Sequence, residues 1–256
     1  MNRYEGRRVL ITGAGSGIGQ ATVHRVLAEG GLVVAADVSE PGLRTTYGTA
    51  QAHGTAGRLT TTVLDISDEA AVRSGVAAAV ATLGGLDVLV NAAGILRSEH
   101  THKTSLEFFN KVIAVNLTGT FLMIREAIPA LLAGDRPAVV NFSSTSASFA
   151  HPYMSAYAAS KGGIQSMTHA LAAEYGKQGL RFTAVAPGSI SSDMTSGNGP
   201  GLPADADMSL FAKLAPALGE GFASPDTVAG VVAMLGSQDG AFITGTEIRI
   251  DGGTHY

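Results

Sequence analysis

The chain has 256 residues, 45% of them hydrophobic and 15% charged, with a formal charge of −4, 33 glycines and no tryptophan. That length and apolar share suffice for a substantial α/β core, while the mild acidity and the lack of basic runs exclude an electrostatic footprint for nucleic acid or an anionic membrane surface. With no cysteine, disulfides, thiolate nucleophiles and cysteine-ligated metal centres are excluded, and a reducing, cytoplasmic setting is expected.

The N-terminus passes straight into a strand-like run, Arg8 to Thr12, without the apolar stretch and cleavage site of a signal peptide. Six further β-rich runs follow: Leu32 to Ala36, Leu59 to Leu64, Asp87 to Val90, Ala138 to Phe142, Arg181 to Val185 and Glu247 to Ile250. They lack polar alternation, which predicts strands buried on both faces, and the helical patterns between them supply the crossovers that parallel strands need. The expected architecture is a Rossmann-like, doubly wound α/β fold: a seven-stranded parallel sheet with helices on both faces, one domain over residues 1–256. The most apolar long region, Val76 to Leu96, is broken by Gly84, Gly85, Asp87 and Asn91 and does not read as a membrane span.

The first strand ends in T-G-A-G-S-G-I-G, with Gly13, Gly17 and Gly19 at a strand-to-helix turn. Residues without side chains let the backbone approach a pyrophosphate, and the free N–H groups and dipole of the next helix favour the anion. The spacing is G-x-x-x-G-x-G, not the common G-x-G-x-x-G fingerprint. Twenty residues beyond Gly17, Asp37 ends the second strand. A carboxylate there accepts hydrogen bonds from both hydroxyls of an adenine ribose and repels a 2′-phosphate, which predicts NAD over NADP. Neither Ser16 nor Val38 supplies a cation to pair with that phosphate.

Downstream, His100 and His102 stand two apart, but nothing else suggests a ligand set, and no metal is expected. Tyr157 and Lys161 lie four apart in Y-A-A-S-K, with Ser143 and Ser144 upstream. On a helix these positions share a face, so the ammonium sits below the phenol and favours its ionised form, making Tyr157 a candidate acid/base. From 188 to 222, Gly, Pro, Ser and Asp mix with Met194, Leu202, Met208, Leu210, Phe211 and Leu214. This is the pattern of a mobile loop with a short amphipathic helix, expected to act as a substrate lid.

Taken together, the motifs resemble the short-chain dehydrogenase/reductase superfamily in its single-domain branch, over essentially all 256 residues. The resemblance rests on T-G-A-G-S-G-I-G (12–19), L-D-I-S (64–67), N-A-A-G (91–94), Asn116 in V-I-A-V-N, Ser144 with Y-A-A-S-K, and P-G-S-I-S-S (187–192). It implies a catalytic set of Asn116, Ser144, Tyr157 and Lys161. In that set Tyr157 is the general acid/base, and Lys161 lowers its pKa and anchors the nicotinamide ribose. Ser144 donates to the substrate oxygen, and Asn116 kinks its helix and holds a water that links Lys161 to solvent. Ser143 is the alternative to Ser144, whose thirteen-residue spacing to Tyr157 matches the family.

The resemblance further implies cofactor contacts from Gly13, Ser16, Gly17, Ile18, Gly19, Asp37, Val38, Asp65, Ile66, Asn91, Ala92, Gly94, Pro187, Gly188, Ile190 and Ser192, beside Tyr157 and Lys161. It places His151, Tyr153 and Met154 next to the substrate with Ser144 and Tyr157. The implied function is an NAD(H)-dependent oxidoreductase that interconverts a secondary alcohol and a ketone by hydride transfer. The apolar residues of the 188–222 loop favour a largely apolar small-molecule substrate. A 3-oxoacyl-[acyl-carrier-protein] reductase is the alternative within the family. A catalytically silent dinucleotide sensor is the alternative of another class, against which the complete acid/base set argues. A homotetramer, or a homodimer, is expected through helices starting near Thr104 and Ser155 and through the C-terminal segment.

Overall fold

Seven strands run parallel: β1 (Arg8–Thr12), β2 (Leu32–Asp37), β3 (Leu59–Val63), β4 (Val88–Asn91), β5 (Ala138–Phe142), β6 (Arg181–Pro187) and β7 (Thr246–Ile250). In the computed structural model, which describes residues 2–192, 195, 201–212, 214–219 and 221–255, they form one sheet in the order β3-β2-β1-β4-β5-β6-β7. The helices are α1 (Gly17–Ala28), α2 (Glu40–Ala52), α3 (Glu69–Leu83), α4 (Leu106–Ile113), α5 (Thr120–Leu132), α6 (Ser155–Tyr175) and α7 (Pro225–Gly236). This is the doubly wound Rossmann-like fold that the alternation of apolar runs and helical patterns predicts. Strand ends shift by one or two residues. The largest case is β6, which continues to Pro187.

Side chains alternate across β1, so Val9 and Ile11 pack with Val23, Val26, Val228 and Val232 on one face, while Leu10 packs with Val72, Met123, Leu131 and Phe182 on the other. Every residue of β4 and β5 is buried. Burial on both faces fails at the two edge strands, which corrects the expectation for them. Val63 of β3 is 57% exposed and Arg249 of β7 is exposed, because an edge strand has one neighbour and incomplete cover.

Local chemistry sets the helix starts. Asp68 accepts the N–H groups of Ala70 and Ala71 ahead of α3, Ser105 accepts that of Phe108 in α4, and Ser224 precedes Pro225 at the first position of α7. Between α4 and α5 the chain widens into a π-helical turn over Ala114–Gly119, which contains Asn116. The run from 106 to 132 is long and apolar enough to cross a membrane by length and composition, yet Val112, Leu122, Met123, Ile124, Ala127 and Leu131 lie in the protein's own core.

The 188–222 loop departs from expectation. Its only helical piece among the described residues is a 3-10 turn, Met208–Phe211, with no buried residue, and Met208, Leu210 and Leu218 are exposed. Met194 lies outside the described residues.

Candidate active site

The strand order reverses between β1 and β4, which in an open α/β sheet is where a ligand crevice lies beyond the C-terminal ends of the strands. Gly13 has φ +68, and a Cβ on it would lie 2.6 Å from the Ala93 nitrogen, so the turn after β1 presses against the backbone of 92–93. A Cβ on Gly19 would fall 1.9 Å from the Gly13 carbonyl oxygen, which closes the turn to any larger residue. Ser16 is exposed, and its hydroxyl makes no bond to the first turn of α1. Ile18 packs against the core beneath the turn, as does Ala92 from the opposite wall.

Asp37 Oδ2 accepts the Gly15 N–H at 2.8 Å and Oδ1 accepts the Ser39 N–H at 2.8 Å, so the carboxylate faces the glycine turn. A Cβ on Gly15 would sit 2.9 Å from the Asp37 carboxyl carbon. Sequence reasoning passed over Gly15, although it stands in the same motif. Its requirement becomes visible only once Asp37 is placed beside it. Val38 is exposed and supplies no charge. Asp65 is exposed, and the Ser67 hydroxyl (2.6 Å) and N–H (2.9 Å) hold its carboxyl below the usual range. Its neighbour Ile66 is buried against Gly119 of the π-helical turn.

Asn91 donates to Asn141 Oδ1 (2.9 Å), Asn141 to Thr168 Oγ1 (3.0 Å), and Thr168 to the Ile164 carbonyl (2.8 Å), a polar chain running from β4 through β5 into α6. Gly94 follows. A Cβ on it would lie 3.2 Å from Asn116 Oδ1 and 3.5 Å from Lys161 Nζ, so glycine keeps this wall of the crevice open. The Asn116 side chain is spent on protein groups: Oδ1 accepts the Ile95 N–H (2.8 Å), while Nδ2 donates to the Ile95 carbonyl (2.9 Å) and Ser160 Oγ (3.0 Å). Ser160 Oγ in turn donates to the Tyr157 carbonyl at 2.7 Å. Ile95 and Ser160 are further residues that sequence reasoning missed. Ser160 carried a signal in Y-A-A-S-K, and Ile95 carried none.

The serine pair divides. Ser143 Oγ is buried and reaches the Lys161 carbonyl at 3.4 Å, whereas Ser144 Oγ accepts the Ser146 N–H at 3.2 Å and lies near enough to the Tyr157 phenol to favour its ionised form. Lys161 Nζ lies 5.6 Å from the centre of the Tyr157 ring and donates to the Phe142 carbonyl at 2.7 Å. Burial alone brings the Lys161 ammonium down to about 8. Burial also raises the phenol above its ordinary value, and the Ser144 hydrogen bond offsets this only in part. Desolvation is the largest cause acting on Tyr157, whereas the lowering expected from Lys161 is one it shares with the positive charge of a bound nicotinamide.

On the far side, Pro187 ends β6, and a Cβ on Gly188 would come within 2.7 Å of Asp251. Ile190 is buried and pairs with Ala223, and its carbonyl accepts the Thr195 hydroxyl at 2.8 Å. Ser192 also bonds Thr195, and its Cβ would be 3.3 Å from a Cβ on Gly17, which joins this segment to the glycine turn. His151 bonds Thr145 Oγ1 (3.3 Å) and the Phe149 carbonyl (3.2 Å), and burial lowers its pKa. The Met154 carbonyl accepts the Ala158 N–H at the start of α6. Tyr153 turns its hydroxyl to the N–H of Asp207. His100 bonds Asp205, and no group of three or more potential metal ligands occurs among the described residues.

A family described as enoyl-(acyl carrier protein) reductase matches residues 13–255. The chain is 36% identical over 251 residues to a 3-oxoacyl-[acyl-carrier-protein] reductase of Thermotoga maritima, covering 98% of each. The chain belongs to the short-chain dehydrogenase/reductase superfamily. Among solved members, a short chain dehydrogenase from Mycobacterium paratuberculosis bound to NAD superposes with a TM-score of 0.91 at 29% identity, covering 98% of both chains. Another, from Burkholderia cenocepacia J2315 in complex with NADP, gives 0.86 at 31% identity over 99% of both. The arrangement in this member of the superfamily suits a dinucleotide: a tight glycine turn follows β1, and the Asp37 carboxylate faces it from the end of β2.

Proposed function

We propose that the chain is an NAD(H)-dependent oxidoreductase that interconverts a secondary alcohol and a ketone, with Tyr157 as general acid/base. The observation that carries this reading is the convergence of Ser144, Tyr157 and Lys161 beside the glycine-lined crevice. A bound nicotinamide supplies the hydride donor or acceptor. The other steps belong to side chains. The Ser144 hydroxyl holds the substrate oxygen, where charge develops, and Tyr157 gives that oxygen a proton in reduction or takes it in oxidation. Lys161, buried 5.6 Å from the centre of the Tyr157 ring, is placed to favour the phenolate while its ammonium stays protonated, and burial brings that ammonium down to about 8. Asn116 anchors Ile95 and Ser160, and through Ser160 it fixes the backbone of Tyr157.

Asp37 and the uncharged Ser16 and Val38 support NAD as the preferred dinucleotide. The remaining cofactor contacts are those of the Gly13 to Gly19 turn, Asp65, Ile66, Asn91 to Gly94 and Pro187 to Ser192. Residues 188–222 serve as the substrate lid. A second reading, reduction of 3-oxoacyl thioesters, is favoured by the likeness to the Thermotoga maritima reductase across 98% of both chains. The cysteine-free composition supports a cytoplasmic setting, and exposed Leu106, Phe121, Leu132 and Phe242 support a homotetramer.

The test is NADH oxidation and NAD reduction across ketones, 3-oxoacyl thioesters, hydroxysteroids and polyols, with Tyr157→Phe beside the unmodified protein. Turnover on one class, falling by roughly 10²- to 10⁴-fold in the variant while NADH binding persists, establishes reaction and substrate together. Substantial turnover by Tyr157→Phe refutes the acid/base assignment. Tight NADH binding with no turnover on any class favours a sensor.

A further inference from the structure

Two segments far apart in sequence meet on Tyr153. From the 205–211 side, the Asp207 N–H donates to the Tyr153 hydroxyl at 2.8 Å, and the Phe211 ring stacks on the tyrosine at 6.2 Å with a 21° tilt. From the 99–103 side, His100 meets the same ring edge-on at 5.1 Å, and the Glu99 N–H donates to the Tyr153 carbonyl at 2.9 Å. The two sides also join directly, since His100 Nε2 lies 2.8 Å and Lys103 Nζ 3.5 Å from the Asp205 carboxylate. Asp207 has a double part: its backbone binds Tyr153 while its carboxylate caps the 3-10 turn that presents Phe211.

Tyr153 holds this position at φ +65, a conformation that bulky residues rarely adopt. The strain is offset by the contacts that the conformation makes available. Stacking on one side, an edge contact on the other and a backbone N–H at the hydroxyl form one clasp.

We propose that Tyr153 is a positioning residue that seats residues 205–211 over the substrate side of the site, with His100 and Asp205 as the outer fastening. This rests on the reading of Tyr157 as the acid/base, since Tyr153 stands four residues before it, just ahead of α6. Seated, the segment excludes water and slows substrate escape; released, it opens the site. The clasp therefore governs substrate affinity more than the proton transfer.

The chain has no tryptophan, so Phe211→Trp provides a single reporter of seating, read by acrylamide quenching of the NADH-bound full chain. Adding Tyr153→Phe, which keeps the ring and loses only the partner of the Asp207 N–H, is expected to raise the quenching constant about twofold. The same change is expected to raise the substrate KM by roughly 3- to 10-fold, with a smaller change in kcat. His100→Ala is expected to shift KM by about 2-fold, and less at high salt, because its pairing is partly exposed. Unchanged quenching overturns the proposal, whether or not KM moves. Raised quenching with unchanged KM overturns it too, because the segment would then seat without acting on substrate. Failure of the acid/base reading shows separately, as turnover retained by Tyr157→Phe, and leaves the quenching result standing.

Discussion

Each oxygen of Asp37 already accepts one backbone N–H, from Gly15 and Ser39, and a carboxylate retains lone pairs for two further donors. The group is thus held rigidly while keeping the capacity to bind both ribose hydroxyls. Asp37→Ala is expected to cut kcat/KM for NAD by about 10- to 100-fold and to change NADP use far less, measured by steady-state kinetics on both. A preference for NADPH in the unmodified protein would contradict the argument. His24 presents a different case. Both of its ring nitrogens are buried without partners, and burial, then His53, lowers its pKa. The unfolded imidazole titrates at about 6.5, so below that pH the unfolded chain binds more protons than the folded one, and stability falls as the pH drops. His24→Gln is expected to narrow the gap between urea midpoints at pH 7.5 and pH 5; an unchanged gap would place the acid sensitivity elsewhere.

The π-helical turn and α6 act as a pair. Asn116 sits where the helix widens, and its three side-chain bonds tie that turn to Ile95 and to Ser160 of α6. Asn116→Leu leaves the Ile95 N–H, its carbonyl and the Ser160 hydroxyl without that partner, at a cost of about 2–4 kcal/mol. The melting temperature is expected to fall by roughly 5–15 °C, with kcat falling further than KM rises, as read by calorimetry and kinetics. On the sheet side, Asn141 and Thr168 hold α6 against β5, and Lys161 reaches the last carbonyl of β5. Helix α6 is therefore anchored by polar contacts at several heights. Its sequence shows this poorly, because a Ser or Thr on a buried helix face looks the same as one that is merely tolerated.

Across the whole molecule, the apolar side chains left uncovered have a pattern. Leu106 in α4, Phe121 and Leu132 in α5, and Phe242 before β7 are exposed, and Phe242 has no cover at all. Large apolar side chains left this exposed suit contact with a second copy of the chain. Sedimentation is expected to show a homotetramer or homodimer, and Phe242→Lys to shift it toward smaller species; a monodisperse monomer for the unmodified chain would refute this. Most of the fold was legible beforehand, since β4 and β5 are apolar throughout and the helices between strands have caps such as Asp68 and Ser105. The edge strands were less legible. Val63 and Arg249 show that exposure depends on having a neighbour, a property of strand order and not of the strand's own residues.

By itself the sequence determined the strands, the glycine turn and the pairing of Tyr157 with Lys161, because periodicity and an i, i+4 spacing are local properties of the chain. Only the tertiary structure decided which serine meets the phenol. Ser143 and Ser144 are adjacent, and packing against α6 sends one hydroxyl to the Lys161 carbonyl and leaves the other at Tyr157. Packing also decided the direction of the Tyr157 pKa, since desolvation is a sum over everything around the ring and is the largest cause acting on it. The need for Gly15 beside Asp37, the engagement of Asn116 with Ile95, and the meeting of His100 with Asp205 are likewise contacts between residues remote in sequence. No local pattern encodes such contacts, because each exists only when the chain has closed the loops that bring its ends together.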